Sequence, residues 1–279
     1  MDYLSSFYFS TPEEAVPVPI SPSYYSLSTC FIPCAYWGAA MMMSFAVTSG
    51  ILHLTTSLRG IPLQRIAGYV SQYPFFMIMV YYAHAGTMDM IHEGAKERAL
   101  MSSASIDTFC CLYIASNIVA ALGQIQTESG ALLIQLMIHH ALSITCFSLG
   151  FAFDRFRFWT AFAGCCEMTN LFLVPLFLTK ELPHLKEQAW FKLDCTLLWI
   201  TFVSHRFVLF PCWLWLWFKD QDELAMKDTM HPAEIYLYAG TIAGLLVLSL
   251  LWFVQIHRGT VNAWWPDTYV KKGKKGKKA

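Results

Sequence analysis

Two histidines, His139 and His140, stand side by side inside an apolar run, with Gln135 four places before His139 and Ser143 four places after it. On a helix that spacing sets Gln135, His139 and Ser143 on one face, while His140 points about 100° away. The two imidazoles cannot aim at one point. One is expected to face a cavity and the other to bond a neighbouring helix. Further along, Thr160, Glu167 and Asn170 recur at +7 and +3, and Asp194, Leu198, Thr201 and His205 at +4, +3 and +4, with Arg206 beside His205. Tyr82, Gly86 and Asp89 form a fourth stripe, with His84 nearby. Ionisable side chains in an apolar run are expensive to bury, so they read first as candidates for function. Other chemistries lack their residues. Helical zinc ligands want histidines at i and i+4, and no two histidines here are so spaced, so no metal site is expected. There is no G-x-S-x-G, no cysteine next to a histidine and no phosphate-cradling glycine loop.

The elements that carry these stripes are read from composition. Of 279 residues 56% are hydrophobic and only 14% charged, with mean hydropathy +0.44, against about 25% charged in soluble domains. Seven apolar stretches, near residues 32–55, 69–91, 105–123, 130–153, 158–178, 194–218 and 233–256, each approach the roughly 20 residues that cross a bilayer as a helix. The fold expected is an all-α polytopic transmembrane helix bundle of about seven spans. In such a bundle an ionisable side chain costs at least about 2.5 kcal/mol at mid-membrane, so the stripes are expected to face one another or a wet cavity. The plainer alternative, that they only glue helices together at about 0.6 kcal/mol per bond, suits Asn117, Gln124 and Thr201 better than His139, His140, Glu167 or Arg206.

Lys plus Arg and Asp plus Glu are 19 each, which argues against a nucleic-acid partner. With the N-terminus lumenal, the cytoplasmic segments hold 12 of the basic residues and the outer ones 6, in line with the positive-inside tendency. The chain divides into three regions: residues 1–31, an extended proline-bearing lumenal tail without the basic start of a signal peptide; a transmembrane domain over 32–256; and a basic cytoplasmic tail over 257–279. The ending KKGKKGKKA is similar to a dilysine retrieval signal and suggests the endoplasmic reticulum membrane as the location. Most of the nine cysteines lie in apolar runs, where thiols act as small hydrophobes; Cys30 and Cys34 are the candidates for a disulfide.

The string LLIQLMIHHALSITCF, with Glu167 in CEMTNLFL standing 27 residues after His140, resembles the TLC-domain family of multi-span membrane proteins, which includes the ceramide synthases. MVYYAHAGTMDM looks like that family's tyrosine-rich span ending in Asp, and FVSHRFVLFP like its penultimate span with an Arg. The resemblance covers about residues 32–256. Ceramide synthases share the histidine pair but carry two aspartates three apart where this chain has Glu167 and Asn170, so the chain looks closer to the other members. The resemblance implies lipid handling: binding, sensing or membrane-lipid homeostasis, through an acyl-chain cavity with His139, His140, Glu167, Arg206 and Asp89 at its polar end. Tyr82, Asn170 and His205 join Asp89 and Arg206 as lipid-binding candidates. The alternative it implies is an acyltransferase in which His139, His140 and Glu167 are catalytic, acyl-CoA is the co-substrate and Lys180, Lys186 and Lys192 lie near the coenzyme phosphates; no other cofactor is expected. A second alternative is a proton or solute pathway through Asp89, His139, Glu167 and His205. Membrane lipids are the expected partners, and a second copy of the chain is admitted as another.

Overall fold

The computed structural model describes residues 27–57, 59–152, 154–222 and 232–266. The N-terminal tail up to residue 26 and the lysine-rich ending lie outside the described residues, as does the side chain of Cys30. The elements are α1 (Leu27–Thr55), α2 (Gly60–Met90), α3 (Ala95–Leu100), α4 (Ala104–Thr127), α5 (Gly130–Ala152), α6 (Arg157–Gly164), α7 (Asn170–Glu181), α8 (Ala189–Phe202), α9 (Leu209–Asp222) and α10 (Pro232–Trp264). A 3₁₀ turn, Cys165–Thr169, joins α6 to α7, and a π-helical turn, Val203–Val208, joins α8 to α9. No strand occurs among the described residues. The molecule is an all-α polytopic bundle.

Among the described residues six stretches are long and apolar enough to cross a membrane: Phe31–Thr55, Ala104–Thr127, Gly130–Phe151, Arg157–Glu181, Ala189–Asp222 and Glu234–Trp264. The remaining expected span, α2, has 31 residues, ample length at 1.5 Å each. Its polarity, from Gln64, Arg65, Gln72, His84 and Asp89, reflects its neighbours: α2 packs against α1, α4, α6 and α7. α4, with Asp107, Asn117 and Gln124, is the most enclosed of the six, its polar groups facing protein.

The helices close a ring. α2 packs on α4, α4 on α5, α5 on α10, α10 on α8, α8 on α7, and α7 returns to α2. α1 packs on α2 and α4 from outside, and Ile32, Met43 and Leu54 on its outer face are exposed. α6 enters one end of the ring, with Phe158 and Trp159 fully buried. The fit is close: a Cβ on Gly164 would stand 1.9 Å from Phe109 Cζ, so glycine lets α6 lie against α4.

Local signals set the ends. Ser103 caps α4, its hydroxyl accepting from the Ile106 N–H at 3.3 Å. Gly60 and Gly130 open their helices with φ near +65°, a region glycine enters without strain. Asp154 and Phe156 take φ of 53° and 61° without that freedom. Their turn is held by the Phe156 N–H donating to Ala99 O (2.7 Å) and by Arg157 on Asp154 (2.7 Å). Pro211 is expected from its type to kink the helix beyond it, yet α9 runs on past it; the irregularity is the π turn just before. A proline ring clashes with the carbonyl four residues back, here Phe207, and lacks the N–H that carbonyl needs.

Candidate functional site

The ring has two contrasting ends and an interior. At the end where α2 finishes and α4 begins, Arg98 is bidentate on Asp220 (2.6 and 2.7 Å) and also donates to the Ile91 and Glu93 carbonyls. Arg157 bridges Asp107 and Asp154, both at 2.7 Å, and Ser102 donates to Asp107. Below them Trp159 meets Trp213 and Trp217 with centroids 5.1 and 5.0 Å away, all three almost wholly buried. At the opposite end Arg65 ties Glu128 and Glu181 together and donates to Thr127 O.

Between the ends lie His139, Glu167 and Arg206. Each is at least nine residues from the nearer limit of its span, or about 13 Å along the helix axis. His140 is buried and turned to α4, with Nδ1 2.7 Å from Asn117 Oδ1 and Nε2 2.9 Å from Gln124 Oε1. Asn117 is itself fixed by donating to Tyr113 O at 2.9 Å. His139 does what its separate azimuth requires: its ring stands 5.6 Å from Trp252 of α10, and its Nδ1 is buried with no hydrogen-bond partner. The rest of that stripe also faces the interior. Gln135 accepts from Trp252 Nε1 at 3.0 Å, and Ser143 accepts from the Tyr113 hydroxyl at 3.2 Å.

Glu167 sits on the 3₁₀ turn, 3% exposed, and its carboxylate is served by neutral donors. These are the Asn170 amide and the Cys166 thiol, the latter at 3.8 Å. Arg206 is 4% exposed on the π turn, between the rings of Phe202 (5.8 Å) and Phe210 (5.5 Å). Its charge acts on His139, Glu167 and Tyr113. Among the described residues it forms no ion pair within 4 Å, and its Nε is buried with no hydrogen-bond partner. π turns recur at functional sites because they re-aim side chains.

The other sequence candidates lie apart. Asp89 accepts from Ser103, the cap of α4, at 2.7 Å, and so belongs to the charged end. Tyr82 packs against the main core beside Tyr81. His205 turns from the interior toward α2, where its ring lies 5.9 Å from His84. Lys186 and Lys192 share a concavity at the Arg65 end with Gln188 and Trp264, whereas Lys180 lies over the Phe177 ring. Among the described residues no three His, Cys, Asp or Glu side chains converge as a metal site would need. Two contributors were missed in the sequence. Tyr113 stands four residues before Asn117, a spacing that flags it; Trp252 sits in an apolar run with no such signal.

A family model described as TLC domain matches residues 8–258, which includes every residue of this interior cluster. No curated protein matches the chain.

Proposed function

This chain belongs to the TLC-domain family of membrane proteins, and on that premise we propose that it handles lipid through the interior cluster, holding a lipid's polar end between Arg206 and His139. The observation that carries this reading is Arg206, a buried guanidinium whose Nε has no partner. A cation at that depth is costly, and Glu167 forms no ion pair with it, its oxygens accepting instead from Asn170 and Cys166. A carboxylate or phosphate oxygen would satisfy Arg206, while the free His139 Nδ1 offers a second polar contact. Leu198, Phe202 and Ile256, with Phe172, Leu176 and Phe253, form a separate apolar cluster among α7, α8 and α10 suited to an acyl chain.

In this reading the N-terminus is lumenal, the basic tail is cytoplasmic and the membrane is that of the endoplasmic reticulum. The test is photolabelling of the full chain in nanodiscs with a diazirine-bearing fatty acid, followed by peptide mapping. Labels on α8 and α10 near Phe202 and Phe253 support the reading; labels confined to the outer face of α1 contradict it.

The unbonded His139 Nδ1 also favours a second reading, acyl transfer. There His139 would take a proton from, or carry an acyl group to, a lipid amine or hydroxyl, with acyl-CoA phosphates near Lys186 and Lys192. Acylated product formed by the purified chain, and lost in His139→Ala, would select this reading over binding alone.

A further inference from the structure

Among the described residues α1 is the long helix placed outside the ring, and its face toward α4 carries a cysteine, as does that of α4. Cys34 stands seven residues from the start of α1 and Cys111 seven residues from the start of α4. Both helices begin at the end that holds Asp107 and Arg157 and pack against one another, so the two cysteines lie at the same depth on neighbouring helices, close enough to interact electrostatically. Cys34 is half-buried and Cys111 is 2% exposed. The adjacent Cys110 is turned about 100° from Cys111 around α4 and is fully buried. The sequence offered Cys30 as the partner of Cys34; the packing of α1 on α4 offers Cys111 instead.

We propose that Cys34 and Cys111 are an oxidisable pair whose disulfide staples α1 to the outside of the ring. The oxidant is a small or protein disulfide at that end of the bundle, oxidised glutathione being the simplest. The Cys34 thiol is the accessible one: as thiolate it attacks one sulfur of the oxidant and displaces a thiolate, which takes up the proton Cys34 has lost. Cys111 then attacks the Cys34 sulfur of the mixed disulfide, gives up its proton and expels the remaining thiol. Two protein thiols are oxidised to one disulfide while one external disulfide is reduced to two thiols. Because α1 packs directly on α4, the bridge would join two neighbouring helices without crossing the ring. An oxidising compartment at that end would keep the bridge formed, and a reducing one would keep it open.

The experiment uses the full chain in membranes, incubated with oxidised glutathione, acid-quenched, denatured in the presence of an alkylating agent and digested without reduction. The expected result is a linked peptide pair containing Cys34 and Cys111 that separates on reduction. It should vanish in Cys34→Ser and persist in Cys30→Ser and Cys110→Ala. Recovery of both cysteines alkylated after oxidation, or of Cys34 joined to Cys30 or Cys110, overturns the proposal. The wild-type mapping decides the matter even if a variant fails to fold.

Discussion

At the Asp107 end of the bundle, buried charges meet opposite charges. Arg98 holds Asp220, and Arg157 holds both Asp107 and Asp154. Further into the membrane the same residue types are arranged differently. Arg206 and Glu167 are both buried and within electrostatic reach of one another, yet no ion pair joins them, and Arg206 and His139 each keep a buried nitrogen with no partner. Desolvation penalises both regions, but only the first offsets it within the protein. Paired charges of the first kind fix helix ends. Unpaired ones at mid-depth, aimed into a ring of helices, are costly for the bundle alone and useful to a ligand.

The largest effect expected from this contrast lies at the paired end. Asp220→Asn leaves Arg98 as an uncompensated buried charge and should destabilise the bundle by about 3–5 kcal/mol, read as a large fall in the melting temperature of the purified protein. A silent Asp220→Asn would erase the distinction between the regions. Gly164→Ala drives a Cβ into Phe109 and should cost about 1–3 kcal/mol, which the melting temperature of that variant measures.

The histidine pair sharpens the comparison inside the site. His140→Ala strands Asn117 and Gln124 in the α4–α5 contact and should cost about 1–3 kcal/mol of stability. His139→Ala should cost less stability than His140→Ala while reducing lipid binding, because its ring makes no hydrogen bond from Nδ1 and is lost only as packing against Trp252. Equal losses of stability with lipid retained would return both to helix glue. Glu167→Gln keeps the shape of the 3₁₀ turn but removes the charge that faces Arg206; weakened lipid retention at nearly unchanged melting temperature is expected. Asn170→Asp places a second carboxylate where the Asn170 amide now donates to Glu167, so the two acids should share a proton. A gain of sphingoid-base N-acylation by that variant, in a cell lacking the activity, would favour acyl transfer over binding.

Helical spacing made some of this legible and hid the rest for a definite reason. The interval between His139 and His140 fixes their azimuths on α5, so the different fates of the two rings could be read from sequence alone. The partners could not. That His140 meets Asn117 and Gln124, and His139 meets Trp252, depends on which helices are neighbours in the ring, a long-range property that spacing along one helix does not encode. Asp89 shows the same limit: its place near the end of α2 was readable, but its bond to the cap of α4 at Ser103 comes from the turn between the helices. His205 and Arg206 are neighbours in sequence, yet on the π turn one faces α2 and the other the interior. Length and apolarity sufficed for the all-α bundle, and the polar character of α2 makes sense once α2 is seen among four neighbours.

The most direct test of the central claim compares the wild type with Arg206→Met by native mass spectrometry and thermal melting in the same detergent. Methionine fills much of the same volume without the buried charge, so the bundle has no reason to weaken. The account expects a melting temperature equal to or above that of the wild type, together with loss of a bound lipid that the wild type retains. Lipid retained by Arg206→Met at wild-type occupancy would contradict it, and so would a bundle that falls apart without Arg206.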